Sequence, residues 1–203
     1  MAPVQDLKED CETRWDGASE ETLVRSLAAP ATACIEAGLV GSSDARDGGP
    51  NRLGLTVSIR SIYRQKVARA FVLAIGDRLR LSEELRDRIL TALHEALLNA
   101  VLHGYLRLEE GLRDTLGGIA ASHETIKRQL ASPHYAQSRV VIEARWSGGR
   151  LLIAVYDNGV GFDPNQNRAE YRGSGRGLLI LEAFCDSITY LDHGRTIILG
   201  FEL

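Results

Sequence analysis

Glu95 and Asn99 stand four residues apart in the stretch 94–104, His-Glu-Ala-Leu-Leu-Asn-Ala-Val-Leu-His-Gly. In a helix that spacing puts a carboxylate and a carboxamide one turn above each other on a single face. His103 lies at the edge of that face, one further turn along. Such a pair can hold a hydrated cation. Magnesium takes few protein oxygens and keeps several waters, so one amide oxygen together with phosphates makes a reasonable shell. The same face also reads as an ordinary solvated helix surface.

Two glycine-rich stretches follow. Asp157-Asn-Gly-Val-Gly-Phe162 comes straight after a strand pattern. Glycines there allow backbone to pass close to a flat ligand, and a carboxylate at a strand end can accept a hydrogen bond from an exocyclic amine. Read alone, Asp-Asn-Gly is a turn. Gly173-Ser-Gly-Arg-Gly-Leu178 precedes a helix. Successive backbone N–H groups, a helix N-terminus and the charge of Arg176 can together receive an anion. Its Gly-x-Gly-x-Gly spacing is not the dinucleotide fingerprint, and no Gly-Lys-Ser/Thr phosphate loop occurs.

The elements that must position these residues follow from periodicity. Leu85, Ile89, Leu93, Ala96, Leu97, Ala100 and Val101 form one apolar stripe, which predicts a helix capped by Ser82 and stopped by Gly104. Alternation over 53–59 predicts a strand, and Ser61 is expected to cap a helix over 62–79. Residues 139–146 and 150–156 read as a hairpin about Ser147-Gly-Gly149. A helix is expected over 178–184 and a second hairpin over 187–191 and 195–201. Residues 105–138 read as an insert of two short helices, one ending at Gly117-Gly118 and one over 122–130. Residues 1–52 read as an extension of uncertain order, with short helices over 20–27 and 31–39 separated by Pro30, and a linker over 41–50.

The 203 residues, 44% hydrophobic and 25% charged, fit a soluble globular protein. A net charge of −3 gives no basic field for nucleic acid. Three dispersed cysteines form no metal spacing and no disulfide framework, which suits a reducing cytosol. No run of about 18 apolar residues is present, and the first ten residues lack a signal-peptide core, so a cytoplasmic location with no membrane contact is expected.

In order, Glu-x-x-x-Asn-Ala-x-x-His-Gly, Asp-x-Gly-x-Gly-Phe and Gly-x-Gly-Arg-Gly-Leu resemble the N, G1 and G2 boxes of the GHKL ATPases, the superfamily of DNA gyrase, the MutL repair proteins and histidine kinases. Asn-Ala-Val-Leu-His-Gly-Tyr and the short loop between the glycine boxes look most like the anti-sigma factor serine/threonine kinases. The resemblance covers 53–203 apart from the insert at 105–138, and it implies an α/β two-layer sandwich, the Bergerat fold, with a mixed sheet covered on one face by helices.

It also implies roles. Glu95 is expected as the general base and Asn99 as the Mg²⁺ ligand. Asp157 is expected to bind the adenine amine, over a pocket floor shaped by Gly159 and Gly161, with Thr196 in support. Gly173, Gly175, Arg176 and Gly177 are expected to face the triphosphate. His103 is expected to pack. The implied protein is a cytoplasmic Mg·ATP-dependent regulatory serine/threonine kinase. It would phosphorylate an antagonist of the anti-anti-sigma type, with a sigma factor as a second candidate partner and a homodimer as a candidate state. Two alternatives stand beside it: a non-enzymatic ATP-binding switch that sequesters a partner, and a stand-alone catalytic domain of the histidine-kinase type. Residues 1–52 contain no His, which counts against a self-contained histidine kinase.

Overall fold

A computed structural model of the chain describes residues 11–39, 51–106, 116–135, 137–159, 161 and 176–203. In chain order the elements are β1 (Glu12–Trp15), α1 (Glu20–Leu27), β2 (Ala33–Glu36), β3 (Arg52–Ser58), α2 (Ile59–Arg64), α3 (Val67–Leu79) and α4 (Glu83–Asn99). A π-wound turn (Ala100–Tyr105) follows, then α5 (Leu116–Ala131), β4 (Arg139–Ser147), β5 (Arg150–Asp157), α6 (Arg176–Phe184), β6 (Ser187–Leu191) and β7 (Thr196–Glu202).

The seven strands form one sheet in the order β1-β2-β3-β4-β5-β7-β6. β1, β2 and β3 run parallel and the remaining pairs antiparallel, so the sheet is mixed. Side chains alternate between faces along each strand. On one face Leu55, Val57, Val140, Ile142, Ile153, Val155 and Leu199 are buried in a single cluster with Phe71 and Ile75 of α3 and Ile89, Leu93 and Leu97 of α4. On the opposite face of β5, Leu152 and Tyr156 remain 43% and 38% exposed. Helices therefore cover one face of the sheet, the two-layer α/β sandwich that the motifs imply. Among the described residues no helix is long and apolar enough to cross a membrane.

Several local expectations are corrected. The strand β3 ends one residue earlier than alternation suggests, because Ser58, not Ser61, caps the next helix by accepting from Ser61 N–H. The expected single helix over 62–79 is two helices. It breaks where Gln65 turns extended and donates its N–H to Ser61 O at 2.8 Å. Residues 33–36, expected to be helical, form β2. There Cys34 and Ile35 are buried, and parallel pairing on both sides outweighs the helix propensity of the flanking alanines. Gly104 does not stop the α4 winding. The chain continues through it as a π turn, with Leu106 N–H reaching back five residues to Val101 O at 3.0 Å. Gly117-Gly118 does not end a helix either; both lie in the first turn of α5. The expected helix start at 106–112 and the linker at 41–50 fall largely or wholly outside the described residues.

Residues 12–36, within the stretch expected as an extension, add the β1-α1-β2 unit to the sheet edge. Helix α1 begins at Ser19 with a reciprocal cap between Ser19 and Thr22. The unit is fastened to the rest of the fold by Glu36. Its carboxylate accepts from Ser58 N–H at 2.7 Å, Ser58 Oγ at 3.0 Å and Ser61 Oγ at 2.8 Å. At the other side of the insert, Arg60 donates twice to Leu130 O, at 3.1 and 2.9 Å, holding the end of α5.

Candidate functional site

Helix α4 starts at Ser82, whose side chain accepts from Leu85 N–H, with Glu83 and Glu84 in the first turn where the helix dipole favours them. Its apolar stripe is buried, which fixes its rotation and leaves Glu95 and Asn99 half-buried on the flank turned toward α6. A Cβ built at Gly177, in the first turn of α6, would overlap Glu95 Oε1 and stand 3.3 and 3.4 Å from the Asn99 amide nitrogen and oxygen. Glycine there lets the start of α6 lie against Glu95 and Asn99 with both side chains in place. The other end of α6 is tied to α4 by an ion pair, Arg88 to Asp186 at 2.8 Å, and Asp186 also accepts from Glu202 N–H at 2.8 Å. Among the described residues neither Glu95 nor Asn99 directs its side chain into a hydrogen bond. Among the described residues these two half-buried polar groups thus have no side-chain partner, and they stand beside the first turn of α6.

Asp157 closes β5. Its N–H donates to Arg195 O at 2.9 Å, and its Oδ1 accepts from Gly159 N–H at 2.7 Å. Burial pushes this carboxyl up to about 6, against the opposing pull of the Gly159 N–H and of Arg195. It lies against the π turn, where a Cβ at Gly104 would sit 3.0 Å from Asp157 Oδ1. A Cβ at Gly159 would overlap the Gly104 backbone, so the 157–159 turn and the π turn fit together backbone to backbone. Gly161 has φ +72°, and a side chain there would overlap His193 O. That oxygen belongs to the β6–β7 turn, where Asp192, His193 and Gly194 all take left-handed backbone (φ +50°, +55° and +78°). Left-handed conformation costs about 1–2 kcal/mol at each of the two non-glycine positions.

The structure therefore brings Glu95, Asn99 and Gly177 together at one end, and Asp157, Gly159 and Gly161 together at the other, joined by the π turn. Thr196 is not among them. It pairs with Tyr156 in the sheet and so points to the face opposite Asp157, where it is buried and donates its hydroxyl to Asp192 Oδ2 at 3.3 Å. Gly173 and Gly175 lie outside the described residues; Arg176 opens α6. His103 is half-buried within the π turn.

A family model described as the histidine kinase-like ATPase domain matches residues 62–201. The chain belongs to the histidine kinase-like ATPase family. The matched span runs from α2 to β7 and so contains every residue of both clusters, while β1, α1, β2 and β3 lie before it. Among curated proteins the chain is similar to an anti-sigma F factor from Clostridium beijerinckii, 26% identical over 114 residues. That match covers 52% of this chain and 60% of the relative, so the chain spans less than two thirds of that protein's length.

Two parts of this arrangement were not signalled by the motifs. One is the left-handed Asp192-His193-Gly194 turn against Gly161; only the glycine marked it as a turn. The other is Tyr105, at the end of the π turn. Its hydroxyl donates to Arg139 O at 2.5 Å and accepts from Asn158 N–H at 3.1 Å, and its own carbonyl accepts from Tyr135 Oη at 3.3 Å. Burial raises the Tyr105 phenol above its ordinary value, so it stays protonated and able to donate. Its place directly after His-Gly was the available signal.

Proposed function

We propose that the chain binds Mg·ATP between α4, the π turn and α6, and acts as a regulatory serine/threonine kinase of the anti-sigma factor type. The observation that carries the reading is the placement of Gly177 against Glu95 and Asn99, with a half-buried carboxylate, Asp157, against the π turn that continues the same helix. The family match supports nucleotide binding, and the name of the relative supports an anti-sigma setting.

In this reading Asp157 accepts a hydrogen bond from the adenine amine, and Gly159 and Gly161 keep the pocket floor free of side chains. Gly173, Gly175, Arg176 and Gly177 take the phosphates, aided by the N-terminus of α6. The Asn99 amide, beside that N-terminus and without a side-chain partner among the described residues, fits a metal–phosphate group. Mg²⁺ held there through the amide oxygen would neutralise phosphate charge. Glu95 accepts the proton of the incoming Ser or Thr hydroxyl. The hydroxyl oxygen forms the new bond to the γ-phosphorus, the bond from that phosphorus to the β–γ bridging oxygen breaks, and ADP leaves. Positioning and charge neutralisation carry most of such a transfer.

The acceptor in this proposal is an antagonist of the anti-anti-sigma type, with a sigma factor as a second partner, a homodimer as the working form and the cytoplasm as the setting. The nucleotide module is residues 53–203, with 105–138 as its insert. The test is Glu95→Ala. A carboxylate beside phosphate is not needed to hold nucleotide, so ATP affinity should be unchanged or higher. Single-turnover transfer should fall by about 10²- to 10⁴-fold, the usual contribution of a general base. Undiminished transfer removes Glu95 from the mechanism. No transfer by the wild type to its partner, with ATP still bound, favours a sequestering switch.

A further inference from the structure

Asp157 can discriminate a base only if its carboxylate is held in one place, and the structure contains a device that holds it. Three successive N–H groups define the turn it sits on. Asp157 N–H is fixed by Arg195 O on β7, at 2.9 Å, and Gly159 N–H by the Asp157 carboxylate itself, at 2.7 Å. The middle one, Asn158 N–H, is fixed at 3.1 Å by a side chain from a different element, the hydroxyl of Tyr105. Because the phenolic proton is directed to Arg139 O, a lone pair faces Asn158, and the two bonds are compatible in sense. Tyr105 lies six residues after Asn99 on the same continuous winding, so its hydroxyl links the α4 end of the site to the Asp157 end. The π turn matters here. Its hydrogen bonds close over five residues rather than four, so it presents residue 105 in a different direction from an α-helical continuation.

We infer that Tyr105 is a positioning residue for base recognition: its hydroxyl, clamped between Arg139 O and Asn158 N–H, sets the Asp157 carboxylate for an exocyclic amine. The inference rests on the nucleotide-binding reading and deepens it. Tyr105 touches no nucleotide atom in this assignment; it acts through the turn.

The experiment compares wild type with Tyr105→Phe, which keeps the ring and removes the hydroxyl, using calorimetric titration with Mg·ADP and Mg·IDP. The inosine base carries a carbonyl where adenine carries the amine, and an N1–H where adenine carries a lone pair, so the ADP-to-IDP affinity ratio reads recognition of the base edge assigned to Asp157. The variant should lose roughly 10-fold in ADP affinity, the scale of one or two lost hydrogen bonds. IDP affinity should stay nearly constant, so the ratio shrinks. Equal losses for both nucleotides, or an unchanged ratio, overturn the inference and leave the nucleotide reading standing. A wild type that binds neither nucleotide overturns both. Tyr135→Phe, which removes a hydroxyl bonded to the Tyr105 carbonyl, should leave the ratio unchanged; a ratio that falls equally there overturns the specific role of the Tyr105 hydroxyl. Amide hydrogen exchange in wild type reads the same clamp without any variant. Asn158 is exposed, yet its N–H should exchange slowly, and fast exchange overturns the clamp.

Discussion

Replacing Asp157 by asparagine keeps the shape of the side chain and its ability to accept from Gly159 N–H, and it removes the charge. In the folded chain burial moves this carboxyl from 3.8 up to about 6. A folded value above the unfolded one means that the folded state holds the proton more tightly. The stability linked to that proton is fully present below about pH 3.8 and is lost as pH rises through about 6. The shift of about two units corresponds to ~3 kcal/mol at ~1.4 kcal/mol per unit. The carboxylate is only partly buried, so solvent screening reduces this to ~1–2 kcal/mol. Asp157→Asn should therefore be more stable than wild type by that amount near pH 8 and equal to it near pH 3.5, in urea unfolding followed by circular dichroism at about those two values. With saturating Mg·ATP the order should reverse, since the variant loses a charged hydrogen bond to the base and roughly 10- to 100-fold in affinity. For the same reason wild-type nucleotide affinity should fall as pH drops through about 6. A variant no more stable than wild type near pH 8, or one whose advantage is the same at both values, refutes the claim that the site holds an unfavourable charge ready for a ligand.

Gly177→Ala should displace Glu95, because the new methyl meets the movable end of that side chain rather than backbone. Stability should change by less than ~1 kcal/mol while transfer falls, and a Glu95→Ala, Gly177→Ala double variant should be no slower than Glu95→Ala alone. Gly159→Ala meets the Gly104 backbone, which cannot step aside, so it should cost ~1–3 kcal/mol in thermal unfolding and weaken adenosine as well as ATP. Glu36→Ala removes the acceptor of three hydrogen bonds that fasten β1-α1-β2, and should cost ~1.5–3 kcal/mol in denaturant unfolding. An unchanged midpoint would mean that the β2–β3 pairing, the Arg78 bonds to Leu27 O and Ala31 O and the apolar contacts hold the unit without Glu36.

Much of the central fold is legible in the sequence because local periodicity and tertiary burial agree there. The α4 stripe from Leu85 to Val101, the hairpin about Gly148-Gly149 and the closing β6–β7 pair all lie where alternation or helical spacing puts them, within a residue or two. The N-terminal strands were harder to read for different reasons. β1 is four residues long, and its Thr13 and Trp15 alternate with Glu12 and Arg14 over too short a span to stand out. β2 is buried along Ala33, Cys34 and Ile35, so it has no alternation, and its alanine and cysteine neighbours read equally as helix. The start of α2 is set by Ser58, and Ser58 is in turn held by Glu36, a residue in another element that no local pattern can announce.

The same distinction separates the parts of the site that the motifs revealed from those they did not. Glu95 and Asn99 are legible because their relation is a fixed spacing on one helix. The glycines are visible as glycines, and those after Asp157 read as places of close approach to a ligand, but what a side chain at 159 or 177 would meet lies far away in the sequence. At Gly159 the excluded atom would strike Gly104, 55 residues earlier in the numbering; at Gly177 it would strike Glu95, 82 residues earlier. Tyr105 completes the pattern. Beside His103 and Gly104 it reads as one more aromatic at a helix end, and what gives it a role is that the winding changes from α to π over 100–105. That change brings a hydroxyl to the one amide of the Asp157 turn that neither β7 nor the carboxylate itself secures. In the proposed reading a site built in this way couples base recognition to the helix that carries Glu95 and Asn99, so a shift of that helix should alter affinity for the base and placement of the phosphate end together.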